Sequence, residues 1–145
     1  MSRVKIKFPA EKPLHVAQIS VRISDINYGN HVGNDSILSI IHEARMQLLA
    51  TWGYTELDAG GNSLIMGDVM IAYKGEGFYG DILTVKIYAV EIEERSFDLL
   101  YDITTNRQGR ETPIAHAKTG MVCFDYKERK ITTIKEALKN RLKVY

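Results

Sequence analysis

The amino-acid sequence predicts an α+β fold in which a five-stranded antiparallel sheet curls around one long central helix. Three features support this fold. One strand precedes a helix whose apolar residues cover most of its circumference, as expected for a helix enclosed by other elements. After residue 63 the spacing of apolar residues changes from the period of a helix to that of a strand. The connections between the later strands are short enough for antiparallel neighbours.

Length and composition limit the class of protein. The chain has 145 residues, 45% of them hydrophobic, so we expect residues 1–145 to form a single domain. Nineteen Lys and Arg residues against eighteen Asp and Glu residues leave a net charge of +1, which argues against a nucleic-acid partner. The one cysteine, Cys123, excludes an intrachain disulfide and a cysteine-based zinc site.

Signals for export, membrane insertion and cofactor binding are not found in the sequence. Residues 1–9 hold no apolar run of the length that a signal peptide needs. No stretch approaches the ~18 consecutive apolar residues of a membrane span. The four histidines lack the close spacing of metal ligands. We therefore expect a cytoplasmic protein with no membrane partner, no metal and no organic cofactor.

The first half of the chain contains a strand, a loop and the helix. Residues 14–24 form the first predicted strand, and residues 25–33 form a loop rich in turn-forming residues. The run Asn34-Asp35-Ser36 can cap a helix that extends to about Thr51. The apolar residues of this helix are Ile37, Leu38, Ile40, Ile41, Ala44, Met46, Leu48 and Leu49.

The second half is predicted to contain four strands. Alternation of apolar and polar residues, or a high content of Ile, Val and Met, places them at residues 63–73, 80–91, 97–103 and 112–124. Residues 134–142 are compatible with a short terminal helix. Residues 75–80 read GEGFYG and match the dinucleotide-binding pattern GxGxxG, but a strand follows instead of a helix. We therefore interpret this segment as a glycine-rich hairpin.

Most chemistry-bearing residues lie in the loop before the helix. Asp25, Asn27, Asn30, His31 and Asn34 fall within ten residues at the start of that helix. The first turn of a helix offers unpaired backbone N–H groups and the positive end of the helix dipole. Such groups can stabilise a carbonyl oxygen that becomes negative during acyl transfer. The same residues are compatible with a loop that only caps the helix.

The sequence of this loop resembles a known family. Residues 21–34 read VRISDINYGNHVGN and precede a helix that carries Glu43 and Arg45. Together with Tyr73, GDILTV at residues 80–85 and AHAKTGMVCFD at residues 115–125, they resemble the 4-hydroxybenzoyl-CoA thioesterase-like branch of the hot-dog superfamily. The resemblance extends over residues 14–126.

The resemblance implies a hot-dog fold and a homodimer or homotetramer whose sheets join edge to edge, with the active sites at the dimer interface. The thioester carbonyl would be polarised by a backbone N–H at the helix start, which corresponds to Gly33 or Asn34. The nucleotide half of CoA would contact basic surface residues, for which Lys74, Arg110 and Lys118 are the candidates. No metal or organic cofactor is implied.

The chain departs from the family pattern at one catalytic position. The family's usual carboxylate is the second Asp of a D-x-D run, and here that position is Asn27. An amide can orient a water but cannot accept its proton near neutral pH. Three residues are candidates for the missing base: His31, Glu43 and Asp25. Imidazole changes its charge near neutral pH, and burial raises the proton affinity of a carboxylate in general.

The leading hypothesis for the function is hydrolysis of an acyl-CoA or acyl-carrier-protein thioester to a free acid and a thiol. Asn27 and the helix start would hold the water and the carbonyl, and His31 or Glu43 would act as base. The alternative is a non-hydrolytic protein that binds acyl thioesters on the same scaffold, because Asn27 replaces the carboxylate. A dehydratase acting on a hydroxyacyl thioester is a third hypothesis, without a matching motif.

Overall fold

The computed structural model describes residues 3–143 as one antiparallel sheet with two helices. A single 3-10 turn, Ile23–Asp25, lies between the first strand and the first helix. The strands are β1 (His15–Ser20), β2 (Ser63–Tyr73), β3 (Ile82–Val90), β4 (Ser96–Arg107), β5 (Arg110–Asp125) and β6 (Lys130–Ile131), and the helices are α1 (Asn34–Thr51) and α2 (Glu136–Leu142). Within residues 3–143 no helix is long and apolar enough to cross a bilayer.

The sheet has six strands, one more than the sequence predicted. Its order is β1-β3-β4-β5-β2, and the two-residue strand β6 pairs with the end of β5. The five predicted strands are all present, and the α+β class is confirmed. In the order β1-β3-β4-β5-β2, the two outermost strands are β1 and β2. The sequence pattern did not predict β6 because two residues are too few for an alternation to be recognised.

The glycine-rich segment at residues 75–80 is not a hairpin, so that prediction was wrong. Strands β2 and β3, which flank it, are separated in the sheet by β4 and β5. The segment instead crosses one end of the sheet, and Val32 N donates a hydrogen bond to Gly77 O at 2.7 Å. The two connections predicted for antiparallel neighbours do join paired strands, β3 with β4 and β4 with β5.

Helix α1 is buried along one stripe rather than around its circumference. Its buried residues recur at helical spacing and are Ile37, Ile40, Ile41, Ala44, Arg45, Leu48 and Leu49. On the other side Leu38, Ser39, His42 and Glu43 are exposed. The expectation of a fully enclosed helix is therefore not met within one chain, because the chain supplies a single sheet and so covers a single side of α1.

A charged side chain on this stripe ties α1 to the sheet. Arg45 is 5% exposed, and its Nη1 donates to the Tyr101 hydroxyl at 3.1 Å while its Nε donates to Glu56 Oε2 at 3.2 Å. The Tyr101 hydroxyl also bonds Thr119 Oγ1 at 2.8 Å, which links β4 to β5. The guanidinium therefore fixes where α1 sits on the sheet, and a buried Arg is tolerated there because it has partners.

Replacing Arg45 should destabilise the fold. Arg45→Met keeps the apolar stem but removes the shared partner of Tyr101 and Glu56, so we expect unfolding free energy to fall by about 2 kcal/mol. Arg141→Met on α2 is the matched control, because Arg141 is exposed and its loss should stay within about 0.5 kcal/mol. Urea denaturation measures both variants. Equal stability of the two variants would contradict the role of Arg45.

The one thiol should be unreactive in the native protein. Cys123 is fully buried, and burial raises the pKa of its thiol to about 11. At pH 8 roughly one part in a thousand would be thiolate, compared with about a quarter for an ordinary cysteine. We expect a thiol reagent to modify native protein far more slowly than denatured protein. Rapid native modification would contradict this.

Candidate active site

The loop before α1 is anchored by Asp25. The Asp25 side chain is 4% exposed, and its Oδ2 accepts a hydrogen bond from Arg22 N at 2.8 Å. Its backbone carbonyl accepts from Gly33 N at 3.0 Å, which closes the loop onto the helix start. Arg22 Nη2 also lies 3.3 Å from Asp25 Oδ1. Asp25 therefore braces the loop from inside.

Asn27 shapes the tip of the loop. Its Oδ1 accepts hydrogen bonds from Gly29 N at 2.9 Å and His31 N at 3.4 Å, and its own N–H donates to His31 O at 2.9 Å. Such side-chain acceptors replace the backbone partners that a tight turn lacks. With Oδ1 used in this way, the group that Asn27 can offer a ligand is its Nδ2 amide.

The imidazole of His31 is held in one tautomer. Its Nδ1 lies 3.0 Å from Val32 O, and since a carbonyl can only accept, Nδ1 carries the hydrogen. In the neutral ring Nε2 then carries the lone pair. An ideal Cβ on Gly29 would stand 3.3 Å from this Nε2 and 3.3 Å from Asn27 Oδ1, so both groups flank Gly29. A neutral imidazole in this state can accept a proton.

The start of α1 offers one of the two predicted N–H groups. Gly33 N is already bonded to Asp25 O, so it is not free for a substrate. Asn34 N is the first N–H of the helix, and the structure gives it no acceptor among residues 3–143. Such an N–H lies at the positive end of the helix dipole. The geometry therefore favours Asn34 over Gly33 as the oxyanion donor.

One cavity is lined by both His31 and Asn34. About 280 Å³ in volume, it lies between the start of α1 and the end of β2, and His31, Asn34, Tyr73 and Lys74 are among its lining residues. The Tyr73 hydroxyl donates to Asn34 O at 3.2 Å and so ties β2 to the helix start. Apolar walls come from Val32, Ile37 and Ile114. The cavity thus brings together the imidazole residue His31, the first residue of α1 and an apolar wall.

Two of the predicted catalytic residues line a different cavity. Asp25 and Glu43 lie on a groove of about 380 Å³ between β1 and α1. Glu43 comes nine residues after Asn34, which is about 13 Å along the helix axis and half a turn away. Its Oε2 accepts from Gln47 Nε2 at 2.8 Å. Glu43 is exposed, whereas the sequence analysis expected it on a helix enclosed by other elements.

The three predicted CoA-binding residues do not form one cluster. Arg110 begins β5 and Lys118 follows eight residues later, about 27 Å along the strand. Lys118 Nζ is bound to both oxygens of Asp68 at 2.9 and 3.0 Å. Only Lys74 lines the cavity of His31 and Asn34. The structure therefore separates residues that the sequence analysis grouped together.

The sequence analysis missed two side chains that fix the position of α1, those of Tyr73 and Arg45. Tyr73 carries part of the family resemblance, but nothing in the sequence indicated that its hydroxyl reaches the helix start. Arg45 follows Ile41 by four residues, a spacing that could have placed it on the buried stripe. Within residues 3–143, no three His, Cys, Asp or Glu side chains lie close enough together to hold a metal ion.

Comparison with protein families identifies the chain. The model of the thioesterase-like superfamily matches residues 21–142, which include the loop, α1 and all strands from β2 onward. The chain belongs to this superfamily. Membership indicates thioester hydrolysis in general. The search of curated proteins found no matching relative.

Solved structures share the fold. The PA2801 protein of Pseudomonas aeruginosa superposes with a TM-score of 0.79 at 21% identity, over 89% of this chain and 98% of that one. A 1,4-dihydroxy-2-naphthoyl-CoA thioesterase from Synechocystis gives 0.76 at 20% identity, over 88% and 93%. The YbaW protein of Escherichia coli gives 0.72 at 25% identity, over 88% and 95%. These similarities confirm the predicted hot-dog family relationship.

The turn around Asn27 should depend on its side-chain oxygen. Asn27→Ala removes the acceptor of two backbone N–H groups, so we expect a loss of about 1 kcal/mol of unfolding free energy. Asn27→Asp keeps the oxygen and should stay near the parent. Tyr28→Ala is the control because Tyr28 is 104% exposed. Urea denaturation compares the variants, and an unaffected Asn27→Ala would show that the turn is held by other contacts.

Proposed function

We propose that this protein hydrolyses an acyl thioester of CoA or of an acyl-carrier protein, using a water activated by His31. One observation supports the proposal: His31, whose Nδ1 is bound to Val32 O, lines the same cavity as Asn34, and Asn34 N has no acceptor within residues 3–143. A general base and an oxyanion donor are the two groups that hydrolysis of an acyl group requires. Family membership supports the reaction type.

The reaction proceeds in two steps. His31 Nε2 takes a proton from water as the water oxygen attacks the thioester carbonyl carbon. The carbonyl oxygen becomes negative and accepts a hydrogen bond from Asn34 N–H at the helix start. The intermediate collapses, the C–S bond breaks, and the thiolate leaves. The imidazolium returns its proton to the thiolate, so the products are the acid and the thiol.

Asn27 acts beside the base rather than as the base. Its Oδ1 already accepts two backbone hydrogen bonds, and its Nδ2 amide can donate to the oxygen of the attacking water. An ideal Cβ on Gly29 would stand 3.3 Å from both Asn27 Oδ1 and His31 Nε2, so the absence of a side chain at Gly29 leaves room beside both groups. This arrangement lets an amide stand where relatives of the resembled branch carry a carboxylate.

The site lies near the free edge of β2, which supports a homodimer. One edge of β2 is paired with β5, and Met66, Val69, Met70 and Tyr73 of this strand are exposed. A long edge strand with apolar side chains is a template for pairing with another strand. Two copies can pair through this edge by a two-fold axis, since antiparallel pairing of identical strands is self-complementary. Because Tyr73 lines the cavity, we expect the cavity to lie at the interface of such a dimer.

Substitution of the base tests the proposal. Thiol release from short, long and aromatic acyl-CoAs should show turnover for at least one class, and His31→Ala should lower kcat by about 100-fold or more. Glu43→Gln should stay close to the parent because Glu43 lies in the other cavity. A large loss in Glu43→Gln with a mild effect of His31→Ala would overturn the assignment of the base. A Cys123→Ser background and a sample without substrate control for reaction of the protein thiol.

The alternative function is binding of an acyl thioester without hydrolysis. Asn27 favours it, because no carboxylate stands at that position and Oδ1 is used by the turn. Saturable binding of acyl-CoA together with negligible turnover of CoA and carrier-protein thioesters would support this alternative. Asn27→Asp then becomes informative, since a carboxylate at this position should create activity if the base alone is missing.

A further inference from the structure

We propose that Arg107 is a positioning residue for His31. It holds the crossover segment, defined as residues 74–81 between β2 and β3, against the loop that orients the His31 imidazole. This inference rests on the proposed function, in which His31 accepts a proton from the attacking water. The effect of Arg107 is transmitted to the imidazole through backbone hydrogen bonds and needs no contact between Arg107 and the substrate.

The crossover segment is hydrogen-bonded to both ends of the loop that precedes α1. At the start of this loop, Val21 N donates to Asp81 O at 2.9 Å. At its end, Val32 N donates to Gly77 O at 2.7 Å. His31 lies between these two points and is adjacent to the second one. The position of the crossover segment therefore determines where both ends of the loop lie.

Val32 connects the crossover segment with the imidazole. Its N–H donates to Gly77 O, and its carbonyl accepts from His31 Nδ1 at 3.0 Å. The contact is also close between side chain and backbone, because Gly77 is buried and an ideal Cβ there would stand 2.9 Å from Val32 Cγ2. Glycine thus lets the crossover segment approach Val32. A shift of this segment should move the carbonyl that selects the tautomer of His31.

Arg107, the last residue of β4, holds the crossover segment at two points with one nitrogen atom. Its Nη2 donates to Glu76 O at 2.5 Å and to Asp81 Oδ2 at 2.6 Å. Its guanidinium carbon also lies 4.7 Å from the centre of the Phe78 ring, within the range of a cation–π contact. Glu76 directly precedes Gly77, and Asp81 itself accepts a bond from the loop. Arg107 therefore restrains both points at which the segment contacts the loop.

The Asp81 carboxylate closes the end of the crossover segment. Its Oδ2 accepts from Phe78 N at 2.8 Å in addition to Arg107 Nη2, and Asp81 N donates to Phe78 O at 3.0 Å. The side chains of Asp81 and Arg107 are both partly buried. A charge-assisted bond between such groups is stronger than an ion pair that is fully exposed. The pair is therefore suited to keep the turn at residues 78–81 in one shape.

The rest of the crossover segment has few other ties to the sheet. Its first two residues are bound to β5, where Lys74 N and Gly75 N donate to Ile114 O at 2.9 and 3.1 Å. Within residues 3–143, the hydrogen bond that joins residues 76–80 to a strand is the one from Arg107. Loss of Arg107 should therefore free these residues while the start of the segment stays bound.

The tautomer of His31 tests the proposal without any reaction. In the parent, nitrogen-15 spectra of the neutral ring should show mostly the form with hydrogen on Nδ1, and the signals are assigned by their loss in His31→Ala. For Arg107→Met we expect the fraction of this form to fall to about half, because Val32 O is no longer held in place. Arg107→Lys should stay closer to the parent, since one ammonium group can donate to both acceptors.

A control variant accounts for the loss of a positive charge. Arg95 is exposed in the hairpin between β3 and β4, so Arg95→Met should keep the parental tautomer. A parental tautomer in Arg107→Met, or an equal change in Arg95→Met, would overturn the positioning role.

Kinetic constants distinguish positioning from stabilisation of the fold. At a temperature at which circular dichroism shows every variant to be folded, Arg107→Met should lower kcat for an acyl-CoA by about tenfold and leave KM within about twofold. A displaced base affects the transition state and not the binding of the substrate. Arg107→Lys should regain most of kcat. A lower unfolding free energy with parental kcat and tautomer would show a purely structural role and refute the proposal.

A second variant disturbs the same contact from the crossover segment. Gly77→Ala leaves Arg107 in place but adds a methyl group 2.9 Å from Val32 Cγ2, so the segment and Val32 must move apart. We expect a smaller fraction of the Nδ1–H form and a lower kcat with little change in KM. This variant provides the test if Arg107→Met does not fold. Parental values of both quantities in Gly77→Ala would contradict the transmission through Val32.

The tautomer and the turnover report on different proposals. A parent that hydrolyses no thioester, with a tautomer that changes in Arg107→Met, refutes the hydrolase and leaves the positioning of His31 standing. A parent that hydrolyses a thioester, with a kcat and a tautomer that Arg107→Met does not change, refutes the positioning role and leaves the hydrolase standing.

Discussion

The hydrogen bond from Gly33 N to Asp25 O holds the proposed site together. It closes the loop between β1 and α1, and it uses the N–H of the residue before the helix. The next N–H, that of Asn34, has no acceptor within residues 3–143 and lies at the positive end of the helix dipole. His31 lies inside the closed loop and reaches the same cavity. One backbone contact thus determines both the shape of the loop and which amide remains open.

This arrangement needs a helix that does not shift on the sheet. The guanidinium of Arg45 supplies that restraint from the buried side of α1, through Tyr101 on β4 and Glu56 in the loop after the helix. The Tyr73 hydroxyl supplies a second tie, from the end of β2 to the first residue of α1. Since the two ties lie at different points along α1, they restrain its position and its rotation together.

The edge of β2 that is not paired with β5 lies close to the candidate site, because Tyr73 at the end of this strand lines the cavity. Burial of α1 along one stripe leaves one side of the helix uncovered, and pairing of β2 on one side leaves an edge uncovered. Both uncovered surfaces adjoin the cavity lined by Tyr73 and Asn34. The proposed second copy on this edge would cover the apolar side chains that β2 exposes.

The sequence by itself determined the fold class, five of the strands and the loop that holds His31 and Asn34, because alternation, turn residues and helix caps are local signals. Only the tertiary structure decided that Asn34 and not Gly33 has a free N–H, since the competing carbonyl of Asp25 comes from another turn. It also separated Glu43 from His31 and showed residues 75–80 to be a crossover. Strand order is set by long-range pairing, which no short motif encodes.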